Sequence, residues 1–545
     1  MVKCLKMKNR FLPYALAFLS SVLLSLPWLV PGCGLFALVG FIPLLMADDL
    51  ADRLGHRHFF LVHYFCFVLW NAFTTFWVCN ATVGGGVFAV LANAFQMSLL
   101  WALFRLSKRV LSRALPYIFL AVAWIAWERS YFSVDISWPW LVLGNAFAGS
   151  VKLVQWYELT GHLGGSLWIW AINLGIYGLL TAFADGLWHL WNRYARLLSV
   201  LSLGLLLIVP AAWSLHRYSS YEPEISGSLD VVIAQPNFDP YEKFTSLTQA
   251  QQNAVAMDLW DEGLQKRDSS CTSPVLLMAP ETFTSDVIVN ELSLSPTVES
   301  FESYRGLHPG SSVLFGASSY EYSYKNSAPS ELARRVHNAW VQSRNSALML
   351  SSDRLPQIFH KSKLVVAVES TPYPKIFVPI DEWLSRKLGY ASLMGRCEGQ
   401  DEISLLHVND SIPLGCAVCY ESIYGEYCTD YVRKGARVMT VITNDAWWGD
   451  TPGYRQHLNY SRLRAIELRR DIARCANTGI SAFINSRGEL VQQSDWWQRE
   501  VLTGKVNLSE TVTPFVRYGD ICGRVCTFVF LLLTLLILAR FLQRR

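Results

Sequence analysis

Three residues in the second half of the chain are of types that act together on a carbonyl carbon. Glu281 follows the apolar run "LLMAP", Lys361 sits in "IFHKSKLVV", and Cys419 ends "GCAVC". A thiolate is the strongest nucleophile among side chains. A carboxylate straight after an apolar run needs a partner or a proton to move. An ammonium beside apolar sequence can hold a developing oxyanion and favour a thiolate. Taken singly, each has a plainer role: a salt-bridged Glu, a surface Lys, a small buried Cys.

Cys416 and Cys419 also spell C-x-x-C. Redox pairs of that kind usually sit at a helix start in a βαβ setting, whereas Cys416 lies inside a strand-like run. A zinc site would want a second C-x-x-C or a His pair at suitable spacing, and none occurs. The sequence therefore leads to expecting no metal and no cofactor. Cys271, Cys397, Cys428 and Cys475 share this region and leave the redox compartment open.

Such residues must be held by regular elements. Six apolar segments end in polar turns: 230–237, 274–283, 311–318, 346–352, 412–422 and 437–449. Their Val, Ile and Leu content reads as buried strands. Stretches 247–266 and 454–474 have helical character. Strands interleaved with helices predict an α/β sheet fold, with chemistry gathered past the strand ends. Glu281, Lys361, Cys419 and Asn444 fall at such places.

The remainder is apolar. Of 545 residues, 52% are hydrophobic and 17% charged, with 21 Trp; soluble chains carry about 25% charge. A net charge of +4 gives no case for nucleic acid. Runs of the length a bilayer needs fall near 11–30, 33–47, 59–79, 83–105, 116–132, 166–186 and 197–214, with an eighth near 523–541. The first run is read as a retained span, not a cleaved signal peptide, despite "LVPGC" at 29–33. Lys3, Lys6, Lys8, Arg10, Arg53, Arg57, Lys108, Arg109, Arg113, Arg193, Arg196, Arg544 and Arg545 occupy alternate breaks and both termini. By the positive-inside rule those breaks are cytoplasmic. The α/β part then faces outward and both termini face inward.

The expected organisation is a membrane domain over 1–225 with seven spans, an α/β domain over 226–512, and a connector with the last span over 513–545. Glu128 and Arg129 interrupt the fifth run. Neighbours in sequence do not face each other on a helix, so a position near the outer boundary is expected. Trp138, Trp140, Trp156 and Tyr157 lie in the outer loop and suit interfacial anchoring or contact with a lipid.

"APETF", "HKSKLVVAVES", "CAVCYES" and "TNDAWWGDTPGYRQHLNYSRLRAIELRRDIARCANTGISAFINSRG" together resemble the carbon–nitrogen hydrolase (nitrilase) superfamily. The domain's place before a final span, "FVRYGD" at 515–520 and "ISWPWLVLGNA" resemble its membrane branch, the apolipoprotein N-acyltransferases of bacterial envelopes. That resemblance implies an α-β-β-α sandwich outside the membrane and a triad of Glu281 as general base and acid, Lys361 as oxyanion cation and Cys419 as nucleophile. It implies supporting places for Glu369, Tyr420, Glu421 and Asn338, and a lipid-proximal place for Phe244. It further implies a phospholipid acyl donor, a diacylglyceryl-cysteine apolipoprotein acceptor, a thioester intermediate, and a monomer in the bacterial inner membrane with its catalytic domain in the periplasm.

Two departures stand out. Phe244 falls where the family often has Trp, and Lys363 falls where it often has His, which leaves Lys361 and Lys363 as rivals for the triad. The eight-residue step to Glu369 favours Lys361. Competing expectations are a membrane-anchored amidase acting on a small amide and a non-enzymatic scaffold with a degenerate domain.

Overall fold

A computed structural model describes residues 2–543 except 55–58, 113, 242, 244–245, 268–272, 353, 391 and 410. Phe244 and Cys271, and the topology markers Arg57, Arg113, Arg544 and Arg545, lie outside the described residues. The apolar part forms α1 (Val2–Leu29), α2 (Ile42–Leu54), α3 (Phe59–Thr75), α4 (Val78–Ala81), α5 (Val83–Lys108), α6 (Leu115–Tyr131), α7 (Tyr157–Ala184), α8 (Leu187–Leu190) and α9 (Arg193–Ser220).

Each apolar run is helical. Among the described residues, six helical stretches are long and apolar enough to cross a membrane: Phe11–Leu29, Cys33–Arg53, Val83–Lys108, Tyr157–Ala184, Arg193–Ser220 and Ile521–Gln543. Helix α3 is apolar but has 17 residues. Helix α6 also has 17 and carries Glu128 and Arg129. Helix α7 starts at Tyr157, nine residues before the apolar run, because it contains a kink at Gly161 with φ 65°. Glycine is required there: a β-carbon would meet the Phe515 ring at 2.3 Å.

The Trp content has a structural reason. Trp70, Trp77, Trp101, Trp124, Trp140 and Trp170 are all fully buried. Phe41 stacks on Trp170 at 4.2 Å between centroids and packs edge-on against Trp124 at 5.3 Å. Such pairs add to the apolar area they bury. Some polar groups within the bundle are paired, as in Asn93 Nδ2 to Asn71 Oδ1 at 2.7 Å, while Trp70, Trp101 and Trp170 keep their buried Nε1 atoms without a hydrogen-bond partner.

The second part is two stacked sheets. The first contains β1 (Gly227–Gln235), β2 (Val275–Met278), β3 (Thr284–Ile288), β4 (Ser311–Ser323), β5 (Arg334–Val336), β6 (Ala339–Leu350) and β7 (Gln357–His360). The second contains β8 (Leu406–Val408), β9 (Ile412–Val418), β10 (Val438–Thr443), β11 (Ile472–Ala476), β12 (Ala482–Ile484) and β13 (Leu490–Gln493). Strand β14 (Glu500–Leu508) returns to pair antiparallel with β1. Strand orders are β14-β1-β2-β4-β6-β5, with β3 on β4 and β7 on β6, and β13-β12-β11-β10-β9-β8. The strand trios β1-β2-β4 and β9-β10-β11 are parallel.

Helices α10 (Gln249–Gln265) and α11 (Pro296–Leu307) pack outside the first sheet; α13 (Gly425–Arg433) and α14 (Pro452–Leu468) pack on the second. Helix α12 (Pro374–Leu388) lies between β7 and β8 in the chain. Alternation along β1 builds the layers. Leu229, Val231 and Ile233 enter the core between the sheets, while Val232 and Ala234 pack with Trp260 and Phe301 under the helices. Burial on both faces explains the unbroken apolar runs. The result is the expected α-β-β-α sandwich on a helical bundle. Short α15 (Pro514–Tyr518) then leads into α16 (Ile521–Gln543).

The bundle and the sandwich share one apolar core, which joins Trp70, Trp124 and Trp140 to Tyr420, Tyr424 and Tyr460. Polar ties fix the junction. Gln456 Nε2 donates to the carbonyls of Trp28 and Thr74 at 3.2 and 3.1 Å. Arg469 Nε donates to Glu158 at 2.5 Å. Trp140 therefore differs from the expectation of a lipid-facing anchor: it is 1% exposed and donates to Gln456 Oε1 at 2.7 Å, because helix α14 covers it. Glu128 likewise turns inward, accepting from Trp124 Nε1 at 3.1 Å and the Leu143 N–H at 2.8 Å.

Candidate active site

The site forms where β2, β7, β9 and β10 end. Glu281 follows β2, and Gly316 on β4 lets it approach: a β-carbon there would meet the Glu281 Cα at 2.5 Å. Lys361 follows β7, and its N–H donates to the Asn345 carbonyl at 2.8 Å. Cys419 follows β9 as the first residue of a 3-10 turn, with φ 51°. A non-glycine residue in that region carries strain of about 1–3 kcal/mol, held by its surroundings.

Lys361 is buried between two acids, with Nζ at 2.9 Å from Glu281 Oε1 and 3.0 Å from Glu369 Oε1. Asn345 Nδ2 donates to the same two oxygens, at 2.8 and 2.7 Å. Glu281 Oε2 accepts the Asn444 N–H at 3.0 Å, and Glu369 Oε2 accepts the Val365 N–H at 2.7 Å. Burial alone would lower the Lys361 pKa, but Glu281 and Glu369, with the Cys419 sulfur nearby, raise it well above the ordinary value. The ammonium is thus retained in a dry place. Lys363, its sequence rival, makes no ion pair among the described residues; its Nζ lies 5.7 Å from the ring centres of Tyr424 and Tyr427.

Burial pushes the Cys419 thiol well above its ordinary pKa and Glu281 adds to this, while Lys361 opposes them. Burial and Glu281 thus favour the protonated thiol, and Lys361 favours the thiolate. Cys416 is buried inside β9, and burial raises its pKa to about 12. It touches the inter-sheet core as a small apolar residue.

Glu421 reaches sideways from the Cys419 turn. Its Oε1 accepts from the N–H groups of Ser362 at 2.7 Å and Lys363 at 3.2 Å and from the Tyr427 hydroxyl at 2.7 Å. Its Oε2 accepts the Val418 N–H at 2.8 Å. The Tyr420 hydroxyl donates to the Ser137 carbonyl at 3.0 Å, and its ring stacks against Trp138 at 6.1 Å. The Cys419 turn is thereby fastened to the α6–α7 loop of the helical bundle.

Sequence reading misplaces one residue. Asn338 lies in the exposed turn between β5 and β6, away from the carboxylates. The Asn that touches them is Asn345, seven positions on. Its signal was a lone amide inside the strand run "NSALML". Three more buried groups had no assigned role. Asp445 accepts from Arg474 Nη2 at 2.6 Å and the Thr443 hydroxyl at 2.7 Å. His457 lies 2.9 Å from Asp445 Oδ1 and 3.1 Å from the Cys419 carbonyl. Sγ of Cys419 and ligand atoms of Asp445 and His457 fall within 4.8 Å of one another. A metal suits that set poorly, since Arg474 already neutralises Asp445.

An α-β-β-α sandwich with a Cys on a strained strand-end turn, opposite a buried Glu–Lys pair, is the carbon–nitrogen hydrolase class of architecture. The family profile "Carbon-nitrogen hydrolase" matches residues 330–513, and "Apolipoprotein N-acyltransferase N-terminal domain" matches residues 20–175. A protein of Chlorobaculum tepidum named apolipoprotein N-acyltransferase is 28% identical over 94% of each chain. One of that name from Geobacter metallireducens is 26% identical, over 94% of this chain and 93% of its own. A crystal structure of a Saccharomyces cerevisiae member of branch 10 of the nitrilase superfamily aligns with 55% of this chain and 98% of its own, at 14% identity and a TM-score of 0.38. Residues 330–513 match the carbon–nitrogen hydrolase family, the chain is similar over nearly its whole length to apolipoprotein N-acyltransferases, and it is an acyltransferase.

Proposed function

We propose that this enzyme moves an acyl chain from a phospholipid to the α-amino group of the N-terminal diacylglyceryl-cysteine of apolipoproteins, through a thioester on Cys419. The observation that carries the reading is the buried Lys361 held between Glu281 and Glu369, beside a thiol whose turn is tied to the helical bundle through Tyr420.

The Cys419 sulfur attacks an ester carbonyl while Glu281 takes the thiol proton. The new oxyanion develops against the Lys361 ammonium, a group already fixed in place; losing one such donor typically costs about 10²–10³ in rate. The C–O bond then breaks, and Glu281 returns its proton to the departing glycerol oxygen. The acceptor amine attacks the thioester, Glu281 takes a proton from nitrogen, and the sulfur leaves to be reprotonated. The products are an amide and the free thiol.

Burial of a lipid chain contributes roughly 0.8 kcal/mol per CH₂, so lifting a chain of about 15 methylenes into water would cost on the order of 12 kcal/mol. A site seated on apolar helices avoids that cost. Helix α12 adds support. Its Ile376, Ile380 and Trp383 are exposed along one face, and the Tyr373 N–H at its start donates to Asp135 beside the end of α6.

Orientation follows from charge. Arg53 pairs with Asp185 and Arg540 Nη1 donates to the Val110 carbonyl, which gathers the basic ends of α2, α5 and α16 opposite the sandwich. On this reading those ends face the cytoplasm; with the 17-residue helices α3 and α6 counted beside the six longer stretches, eight spans would put the sandwich in the periplasm of a bacterial inner membrane.

The test is intact-mass measurement after incubation with phospholipid, then with a diacylglyceryl-cysteine peptide. Wild type should gain one acyl mass and pass it to the peptide amine, and Cys419→Ala should do neither. Hydrolysis of small amides without acyl passage would replace this reading with the amidase.

A further inference from the structure

The backbone carbonyl of Cys419 faces helix α14, and two side chains meet it. Ser422 Oγ donates to it at 2.8 Å, and His457 Nε2 lies 3.1 Å away. His457 is fully buried on α14, with the rings of Trp140 and Trp448 centred 5.9 and 5.5 Å from its own.

A carbonyl can only accept, so Nε2 carries a proton. Ser422 gives its single hydroxyl proton to the same carbonyl, and its oxygen, 3.0 Å from Nε2, can accept as well. Nδ1 stands between Asp445 Oδ1 at 2.9 Å and Arg474 Nη2 at 3.1 Å. Both states of Nδ1 leave the Nε2 proton in place: a neutral ring accepts from Arg474, and a charged ring donates to Asp445. Asp445 also accepts from the Thr443 hydroxyl at 2.7 Å and Arg474 Nη2 at 2.6 Å, so the ring is held from behind by a fixed group.

Cys419 has φ 51°, a conformation that persists only where the surroundings hold it. Its carbonyl and the Tyr420 N–H belong to one planar trans peptide and point opposite ways. Fixing the carbonyl therefore fixes the N–H. As an opening N–H of the 3-10 turn, that group has no acceptor within the turn. Donors on the carbonyl also polarise the peptide and make its N–H a stronger donor.

We propose that His457 is a positioning residue for acyl transfer. With Ser422 it locks the Cys419–Tyr420 peptide so that the Tyr420 N–H joins Lys361 at the oxyanion. His457 touches no reacting atom and acts through that peptide. A ring serving the sulfur as a base would need Nε2 free, and the carbonyl occupies it. The proposal rests on the thioester reading of Cys419.

The test compares two reactions of the same sulfur in full-length protein in detergent. Acylation by p-nitrophenyl butyrate builds an oxyanion; alkylation by iodoacetamide displaces iodide and builds none. Both are followed as mass gained with time, over a range of reagent concentration. His457→Leu leaves Asp445 paired with Arg474 and Thr443, so it strands no carboxylate. It should slow maximal acylation roughly 10–100-fold, less than outright loss of an oxyanion donor. The half-saturating ester concentration should stay put, and alkylation should stay within about threefold, because the sulfur itself is untouched. His457→Gln, whose amide NH₂ reaches the Nε2 position, should recover most of the acylation rate. Ser422→Ala, a smaller change for which a thermal melt checks the fold, should slow acylation in the same selective way. Equal losses of acylation and alkylation, a Gln variant no better than Leu, or wild-type acylation in both His457→Leu and Ser422→Ala each overturn the proposal while the thioester reading stands. A wild type that gains no acyl mass overturns the thioester reading and this proposal with it.

Discussion

The Glu421 carboxylate accepts the Ser362 N–H at 2.7 Å, so the turn that holds Cys419 is stapled to the loop that holds Lys361. The same carboxylate also takes the Lys363 and Val418 N–H groups and the Tyr427 hydroxyl. Four donors around one buried group leave no place for an N–H in return.

Glu421→Gln would bring an amide NH₂ against at least one of those donors. A buried donor left unpaired costs about 1–3 kcal/mol. The Cys419–Lys361 spacing should loosen, with kcat falling roughly 10–100-fold and little change in KM. Steady-state kinetics with a lipid donor, beside a thermal melt, check this. A variant with wild-type kcat would show that the staple does not set the spacing.

Glu281 acts on Cys419 in two opposed ways, which gives a prediction of opposite signs. Its charge raises the thiol pKa, yet it is the proposed base. Glu281→Gln should therefore speed iodoacetamide labelling of Cys419 near pH 7 while acyl transfer falls by about 10²–10⁴. Lys361→Met removes the cation that favours thiolate, so labelling should slow. Mass-resolved labelling against a Cys419→Ala background separates these effects. Slower labelling in Glu281→Gln would contradict this charge arrangement.

Asn345 Nδ2 donates to both Glu281 and Glu369, the two carboxylates that flank Lys361. Asn345→Ala should lower kcat by roughly tenfold, about the worth of one or two hydrogen bonds to charged groups. Asn345→Asp should be worse, since it sets a third carboxylate beside two. Comparing kcat for the pair decides it; an active Asp variant would rule out this role.

Asn345 also marks where sequence reading stops. Cys419, Glu281 and Lys361 stand out beside apolar runs, where periodicity can find them, but their grouping came from the family resemblance and not from spacing. Asn338 precedes β6 and Asn345 lies within it, and only the hairpin register between β4 and β6, which pairs Ser318 with Asn345, decides which one reaches the carboxylates. The long helices were legible from apolar length, but the kink at Gly161 depends on Phe515, more than 350 positions away. Strands of three to five residues, such as β5, β8 and β12, are too short to show a period. Trp140 was read as an interfacial anchor because its cover, α14, arrives from the other domain.

Asp445 gives an acid-stability prediction. Burial would raise its pKa, but Arg474 and His457 outweigh that and hold it at about 2. The unfolded value is about 3.9, so the folded pKa is depressed. The stabilisation is fully present above about pH 4 and is lost as pH falls towards 2. The penalty of Asp445→Asn, measured by chemical unfolding of the sandwich signal, should thus shrink across that window. Arg474→Met should cost more at neutral pH, about 3–5 kcal/mol, because it strands a buried carboxylate. A penalty for Asp445→Asn that is flat from pH 6 to 2 would count against the pairing.

Tyr420 links the reacting turn to the bundle through the Ser137 carbonyl, and Trp138 covers its ring. Removing the hydroxyl costs only about 1 kcal/mol of binding energy within the fold. Its effect on catalysis should depend on where the acyl chain comes from. A short soluble ester reaches Cys419 from water and needs no fixed height above the membrane. A bilayer lipid needs the sulfur held where its ester can reach. Tyr420→Phe should therefore leave acylation by a short-chain thioester within about threefold of wild type, while transfer from phospholipid vesicles falls roughly tenfold or more. Equal losses on both donors would mean that Tyr420 acts on the chemistry itself and not on the seating of the turn.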